Sequence, residues 1–363
     1  MANVKKGLHE IAPYVPGKPI EEVKREMGLD EVYKLASNEI PFAPTYIKGA
    51  VLKEVSNIHR YPESSSFYLR QALAKKLKVD AQQLVFGNGS DELIVMALKA
   101  FIDPGDEVVV AYPTFLIYEI QARICGATVR KVPLKNYRYD LDGIAAQVSD
   151  KTKIIFIANP DNPTGTYRRA QDIADFLAKI PAETLVFFDE AYFEFTPSDF
   201  PQTQKFLKSR GHIIYSRTFS KAYGLAGLRI GYAVSTPDIV RVLDKVREPF
   251  NINRFAQVSA REALRNKAFL AKVTKAIREG KKYLYKELKT LKVDFVESAT
   301  NFVLVDMHKD AQPATDFLLK RGVIVRPLAG WGFKNCFRVT VGLQKENRKF
   351  IELLAKFLKS PGA

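Results

Sequence analysis

Cysteine is scarce in this chain, whose 363 residues include only Cys125 and Cys336. Neither cysteine stands in a spacing typical of metal ligands, so we expect no metal site. We expect both side chains to be free thiols, and free thiols are typical of reducing compartments. The cysteine usage therefore predicts a cytoplasmic protein without a disulfide framework.

Long hydrophobic runs are absent as well. No window reaches the roughly 18 uninterrupted apolar residues that a membrane span requires, and residues 1–19 lack the apolar centre of a signal peptide. We therefore expect no membrane association. Hydrophobic residues make up 47% and charged residues 26% of the chain, which is ordinary for a globular protein. The length is sufficient for two domains.

Acidic residues are fewer than basic ones. The chain has 40 Asp and Glu but 56 Lys and Arg, and its net charge is +16. Nucleic-acid binding is one explanation, because lysine and arginine neutralise phosphates. However, the lysines are scattered over predicted helix faces, and no basic tail, zinc-finger spacing or RNA-binding aromatic signature accompanies them. A lysine-rich surface that attracts anionic ligands explains the charge better, so we expect no nucleic-acid partner.

The most informative stretch is Ser216–Tyr232, SRTFSKAYGLAGLRIGY, which surrounds Lys221 with hydroxyls, glycines and an arginine. It begins directly after the apolar residues 213–215, which predict a buried strand. Burial and the guanidinium of Arg229 both disfavour the ammonium form and so lower the pKa of this lysine. The free amine is then available as a nucleophile toward a carbonyl group. A solvated Lys–Arg pair beside a glycine turn is the alternative interpretation.

A carboxylate ends another predicted strand, because the apolar run Leu185–Phe188 is followed by Asp189. In open α/β sheets, ligands bind at the edge formed by the carboxyl ends of the strands. A buried aspartate needs a cationic or hydrogen-bonding partner, and the protonated ring nitrogen of a cofactor is one such partner. Asp189 and Lys221 follow successive predicted strands, so we expect one ligand to reach both.

Two loops add polar groups. The turn Gly87–Asp91, GNGSD, precedes a predicted helix at 92–102, and the N–H groups at such a helix start suit an anion. Capping of the helix by Ser90 or Asp91 is the structural alternative. The loop Asn159–Gly165, NPDNPTG, contains two prolines that stiffen it, so we expect the amide of Asn162 to be held in place.

Two arginines stand out in the C-terminal part of the chain. Arg338 lies on a predicted strand between the apolar residues Phe337 and Val339, and Arg326 precedes Pro327. A surface ion pair is the ordinary explanation for either arginine. A guanidinium that faces a ligand would instead bind a carboxylate or a phosphate through two parallel hydrogen bonds.

In this order, these segments resemble the pyridoxal-phosphate aminotransferases of fold type I and, within that superfamily, the histidinol-phosphate aminotransferase family. The resemblance covers nearly the whole chain. It is carried by the motifs PY-PGKP, KLASNE, RYPE, GNGSDELI, AYPTF, NPDNPTG, DEAY, SKAYGLAGLR, GVIVRPLAGWG and FRVTVG. One departure is Ile40, which stands in SNEIP where the family has an asparagine.

The resemblance implies that pyridoxal 5′-phosphate is the cofactor and assigns residues to it. Lys221 would bind the cofactor covalently and move the substrate proton, while Asp189 would contact the pyridine nitrogen. Tyr192 and Asn162 would hold the ring hydroxyl, and Tyr112 would stack on the ring. The phosphate group would contact Gly89, Ser90, Asp91, Thr218, Ser220 and Arg229.

The remaining assignments concern the partner subunit and the substrate. The resemblance implies a homodimer in which Tyr61 reaches the cofactor phosphate of the neighbouring subunit. Arg338 and Arg326 would bind the anionic groups of the substrate, and Asn38 and Tyr14 would line the substrate pocket. Small molecules, an amino donor and a 2-oxo acid, are the expected ligands.

The fold that the resemblance implies is α/β: an arm at 1–30, a large cofactor-binding domain at 31–265 with a mostly parallel sheet between helices, and a smaller α+β domain at 266–363. The expected reaction interconverts L-histidinol phosphate and 2-oxoglutarate with imidazole acetol phosphate and L-glutamate, a step of histidine biosynthesis. The same segments also suit an aromatic amino acid aminotransferase or a pyridoxal-dependent decarboxylase of a phosphorylated amino acid, and the sequence leaves these alternatives open.

Overall fold

A seven-stranded sheet forms the centre of the computed structural model, which describes Val4, Leu8, Ile11 and residues 17–360. The strands in this part of the chain are β1 Tyr33–Lys34, β2 Leu84–Gly87, β3 Glu107–Tyr112, β4 Thr128–Pro133, β5 Thr152–Ala158, β6 Leu185–Asp189, β7 Ile213–Thr218, β8 Gly231–Val234, β9 Asp294–Val296, β10 Phe302–Asp306, β11 Val323–Ile324, β12 Arg326–Pro327 and β13 Cys336–Thr340.

The helices pack against the sheets, and many of them lie between two strands in the sequence. They are α1 Ile20–Met27, α2 Lys48–Glu54, α3 Phe67–Leu77, α4 Ser90–Phe101, α5 Ile117–Ile124, α6 Leu141–Ala146, α7 Ala170–Lys179, α8 Thr203–Arg210, α9 Pro237–Val246, α10 Arg254–Arg265, α11 Lys267–Thr290, α12 Gln312–Leu319 and α13 Gln344–Leu358. No helix in the described part of the chain is both long enough and apolar enough to cross a membrane.

The central sheet has the strand order β2-β8-β7-β6-β5-β3-β4. Strand β8 runs antiparallel to β2 and β7, whereas the other neighbouring strands are parallel. The middle strands β5, β6 and β7 are runs of apolar residues that are almost wholly buried, as parallel strands covered on both faces require. The predicted α/β class with a mostly parallel sheet is confirmed.

The loops that follow three neighbouring strands begin at the same edge of the sheet. Strands β5, β6 and β7 are parallel neighbours, and Ala158 is in register with Asp189, which is in register with Ser216. Residues 159–165 leave from the end of β5, and the loop that contains Lys221 leaves from the end of β7. The prediction that Asp189 and Lys221 follow successive strands is therefore confirmed, and the sheet edge is where a ligand is expected.

A second, antiparallel sheet has the order β12-β13-β10-β9. Many of its buried residues and those of α11 to α13 form a separate core, which apart from Leu35 begins at Val273, whereas the core of the central sheet ends at Leu264. Our boundary between 265 and 266 lies between these two cores and remains a prediction. Strand β1 was assigned to the large domain, but it pairs with β11, and the adjacent Leu35 packs in the C-terminal core.

Candidate active site

A cavity of about 290 Å³ lies at the carboxyl edge of the central sheet. Most of the side chains that the sequence predicted as functional line this one cavity, although they come from segments far apart in the chain. These residues are Asn38, Ser90, Asp91, Asn162, Asp189, Tyr192, Thr218, Ser220, Lys221, Arg229, Arg326 and Arg338.

Lys221 lies at the cavity with its amine in a poor environment for a positive charge. Its Nζ atom is 3.5 Å from the backbone oxygen of Ser37 and 5.7 Å from the ring centre of Tyr192. Burial, and after it the guanidinium of Arg338, lower the pKa of Lys221 to about 8. The sequence predicted this direction but named Arg229, which contributes less than Arg338. The unprotonated amine, which a nucleophile or a base requires, is therefore far more populated near neutral pH than in an ordinary lysine, although it remains the minor form.

Asp189 is the buried carboxylate of the site, with 6% of its surface exposed. It accepts hydrogen bonds from the Tyr118 hydroxyl at 2.7 Å and from the Ala191 N–H at 3.1 Å. Burial raises the pKa of Asp189 to about 6, although these donors act in the opposite direction. The group is thus mostly ionised at neutral pH and can stabilise a cationic partner in the cavity.

An anion-binding end is formed where α4 begins. The first residues of this helix, Ser90 and Asp91, line the cavity together with Thr218, Ser220 and Arg229. The Arg229 guanidinium donates to the Ser220 hydroxyl at 3.4 Å and lies 3.3 Å from the Asp91 carboxylate. Backbone N–H groups, hydroxyls and a guanidinium at one helix N-terminus are suited to a phosphate group.

Gly89 supports this end of the cavity without lining it. Its φ is +84°, and a Cβ atom at this position would collide with the guanidinium of Arg229. A glycine is therefore needed for the close approach of the backbone to the arginine. The helix begins two residues earlier than predicted, at Ser90, because Gly89 provides the N-cap in this conformation.

Tyr192 and Asn38 connect the central sheet to the C-terminal part of the chain. The Asn38 amide donates to the Tyr192 hydroxyl at 2.8 Å, and the Thr340 hydroxyl donates to the Asn38 side-chain oxygen at 3.1 Å. Asn301 donates to the backbone oxygen of Asn38 at 3.0 Å. Asn38 therefore orients Tyr192. The nearby Ile40, where the resembled family has asparagine, packs against the C-terminal core and lies next to Gly224.

The arginines predicted to bind substrate are neighbours. Arg326 on β12 is in register with Arg338 on β13, and directly paired residues of antiparallel strands project on the same face. The Arg338 guanidinium donates to the Asn162 side-chain oxygen and, at 2.8 Å, to the backbone oxygen of Ala36. Two guanidinium groups thus line one cavity, and together they can hold a phosphate or a carboxylate.

Tyr112 does not lie where it was predicted. It is the last residue of β3, it is 37% exposed, and its ring packs 4.6 Å from the Lys131 ammonium on the neighbouring strand. It is not among the cavity-lining residues, whereas Phe115 is. The turn after β3 carries the chain into α5 and brings Phe115 to the site instead. Phe115, three residues after Tyr112, is therefore one of the aromatic residues that line the cavity, together with Tyr118 and Tyr192.

Neither predicted role of the tyrosines at positions 61 and 14 is tested by the described residues. Tyr61 is 79% exposed and stacks on Phe250 with ring centres 4.7 Å apart, so it does not line the cavity of its own chain. Tyr14 lies outside the residues that the structure describes, and its predicted role stays a prediction.

Several cavity residues, besides Phe115, were missed by the sequence reasoning, and Tyr118 and Lys34 are two of them. Tyr118 was part of an apolar helix pattern, and its bond to Asp189 spans 71 residues of sequence. Lys34 opens the KLASNE motif, but it looked like one more lysine in a basic chain, although it lines the cavity. The sequence signal that could have identified Lys34 as a cavity residue was its position just before a short apolar segment.

The whole arrangement has one anion-binding end, one buried carboxylate, one amine with a lowered pKa and a pair of arginines. This set fits pyridoxal phosphate, because it offers donors for a phosphate, an acceptor for a cationic ring nitrogen and an amine for a carbonyl carbon.

Comparison with known proteins agrees with this reading of the cavity. Residues 30–354 match the model of the family "Aminotransferase class I and II". The chain is 43% identical over 357 residues to the histidinol-phosphate aminotransferase of Moorella thermoacetica, covering 98% of this chain and 92% of that protein. It is also 43% identical to histidinol-phosphate aminotransferase 2 of Pasteurella multocida, covering 98% of each chain.

A solved structure has the same fold. The crystal structure of histidinol-phosphate aminotransferase from Sinorhizobium meliloti in complex with pyridoxal-5′-phosphate superposes with a TM-score of 0.90 at 28% sequence identity. The match covers 99% of this chain and 98% of that chain.

Proposed function

The chain belongs to the class I and II aminotransferase family, and on that premise we propose that it is a pyridoxal-phosphate-dependent transaminase for L-histidinol phosphate and 2-oxoglutarate. The observation that carries the substrate assignment is the register pair Arg326 and Arg338, which lines the same cavity as Lys221 and Asp189. Histidinol phosphate offers a phosphate and no carboxylate, whereas glutamate offers two carboxylates. Guanidinium groups accept either anion through similar bidentate geometry.

Residues that line the cavity would hold the cofactor. The phosphate of pyridoxal phosphate would contact the N-terminus of α4, Thr218, Ser220 and Arg229, and Phe115 would contact the ring. Tyr192 and Asn162 would hold the ring hydroxyl. When bound, the cofactor supplies an electron-accepting ring next to the reacting carbon of the amino donor.

The remaining chemistry is that of the protein side chains. The Nζ atom of Lys221 would hold the cofactor at its carbonyl carbon, and the amine would accept and return the substrate proton. The Asp189 carboxylate, ionised and held by Tyr118, favours a positive charge on the ring nitrogen. Arg338 and Arg326 orient the anionic end of the substrate so that its reacting carbon meets Lys221.

A comparison of amino donors tests the substrate assignment. We expect kcat/KM for histidinol phosphate to exceed kcat/KM for phenylalanine and tyrosine, with 2-oxoglutarate as acceptor, because two guanidinium groups attract a phosphate with nearly two charges more strongly than the single α-carboxylate of an aromatic amino acid. An enzyme that prefers the aromatic amino acids would be an aromatic amino acid aminotransferase, and release of carbon dioxide from a phosphorylated amino acid would identify a decarboxylase.

We also propose that the active form is a homodimer. Large apolar side chains are exposed around α2, α3 and α10. Soluble monomers rarely expose contiguous apolar patches of this kind. These residues are Leu52, Val55, Ile58, Tyr61, Phe67, Tyr68 and Phe250. Tyr61 stacks on Phe250 within this surface, which supports a role for Tyr61 at the interface between the subunits.

Mixing two impaired variants should restore activity if Tyr61 acts across the subunit interface. We expect Tyr61→Phe alone to be about ten-fold less active, because one charge-assisted hydrogen bond to a phosphate is lost, and Lys221→Ala to be inactive. In a dimer of one Tyr61→Phe subunit and one Lys221→Ala subunit, one of the two active sites contains native Lys221 and, from the neighbouring subunit, native Tyr61. Activity of the exchanged mixture that never exceeds that of Tyr61→Phe contradicts the crossing.

The proposed compartment is the cytoplasm. Cys336 is a buried free thiol in the structure. This agrees with the cysteine argument made from the sequence.

A further inference from the structure

Lys34 is a third cationic side chain of the substrate end of the cavity, and the proposed function does not use it. It is the second residue of β1 and is in register with Ile324 of β11, two residues before Arg326. Arg326 is in turn in register with Arg338. All three cationic side chains line the same cavity, so strand pairing gathers them around one ligand.

The ammonium of Lys34 forms an ion pair that is partly exposed to solvent. Its ammonium lies 3.2 Å from the carboxylate of Glu39, and the two side chains are 21% and 47% exposed, respectively. Glu39 is not among the residues that line the cavity. Ion pairs with one solvated partner contribute little on their own. The Lys34 ammonium can therefore interact with an anion in the cavity without a large loss elsewhere.

We propose that Lys34 is a specificity-determining residue that makes the cavity prefer a dianionic phosphate ester over a singly charged anion. This inference rests on the proposed function, which gives the cavity a phosphate-bearing substrate. A phosphate monoester has a second pKa of about 6 and carries nearly two charges above it, whereas a carboxylate carries one. Because Coulomb attraction scales with the product of the charges, a third cation favours the dianion more than the monoanion.

Ethyl phosphate and ethyl sulfate are suitable probes because they have similar shapes but carry two charges and one charge, respectively, at about pH 8. Their affinities are measured by isothermal titration calorimetry on the cofactor-loaded enzyme. The wild type is expected to bind ethyl phosphate more tightly than ethyl sulfate. Lys34→Gln is expected to reduce this ratio of affinities about ten-fold, as the loss of one charge contact at a partly solvated site implies.

Three variants make the test specific. Lys34→Arg keeps the charge and should keep the ratio. Lys345→Gln removes a comparable lysine, paired with Glu31 at 3.5 Å and not among the lining residues, and should also keep it. Glu39→Gln removes the competing carboxylate and should maintain or increase the preference for ethyl phosphate.

An unchanged ratio in Lys34→Gln, an equal loss for both esters, or a wild type that does not bind ethyl phosphate more tightly would overturn the inference. Failure of the proposed function is distinguishable. In that case the wild type would not transaminate histidinol phosphate, while Lys34→Gln would still lose the preference for the dianionic ester.

Discussion

Replacement of Lys221 by alanine is expected to reduce transamination by about 10⁴-fold, the upper range for loss of a positioned acid–base group. The amine at this position has a pKa lowered to about 8 and lines the cavity with Asp189. Alanine provides neither a nucleophile for the cofactor nor a base for the substrate proton. Single-turnover and steady-state rates with histidinol phosphate, or with glutamate, measure the loss.

Lys281 offers a matched control for this experiment. Burial also lowers the pKa of Lys281 to about 8, and its ammonium donates to the backbone oxygen of Ser298 at 2.6 Å. It is not among the residues that line the active-site cavity. Lys281→Ala should therefore retain nearly all of the activity. A Lys221→Ala enzyme that keeps more than about a tenth of the wild-type rate would contradict the assignment of Lys221.

Asp189→Asn is expected to lower the transamination rate about 10²-fold, the usual cost of removing one preorganised electrostatic contact. The asparagine keeps the shape and the hydrogen-bonding capacity toward Tyr118, whose hydroxyl can rotate to accept, but it has no negative charge. Cofactor affinity should fall as well. Steady-state rates and cofactor titration measure both effects, and wild-type turnover in this variant would show that another group balances the ring nitrogen.

The same substitution should stabilise the protein when the cofactor is absent. The pKa of Asp189 is raised from 3.8 to about 6 by burial, so the folded state favours the protonated form. The ionised carboxylate then costs stability above pH 6, and this cost disappears as the pH falls toward the unfolded-state pKa. Two pKa units correspond to about 3 kcal/mol.

The expected result is a higher free energy of unfolding for cofactor-free Asp189→Asn at about pH 7.5, and about half of this gain at about pH 5. Denaturant unfolding at the two pH values measures it. A variant that is no more stable than the wild type at the higher pH would mean that the charge of Asp189 is already compensated in the cofactor-free protein.

Site residues that lie at or just after the end of one buried strand could be predicted from the sequence. An apolar run that ends in Asp189, and another that leads to Lys221, are local signals, and parallel pairing of their strands brings the two residues together. The loop with Asn162 follows from the same rule. Each of these predictions depends only on where a buried strand stops.

The parts that depend on tertiary packing could not be predicted in this way. The turn at the end of β3 decides that Phe115, and not Tyr112, faces the cavity. The pairing of Arg326 with Arg338 depends on the register of β12 and β13. The bond from Tyr118 to Asp189 depends on how α5 packs on the sheet, and helix periodicity alone marks Tyr118 only as a core position.

Reduction with borohydride of the protein loaded with pyridoxal phosphate, followed by peptide mapping, tests the central claim most directly. Lys221 and Lys281 both have a pKa lowered to about 8, so amine basicity alone would permit either to react. We expect a single modified peptide, the one that contains Lys221, because of these two lysines only Lys221 shares a cavity with Asp189 and Arg229. Modification of Lys281 or of any other lysine, with Lys221 left unmodified, would contradict it.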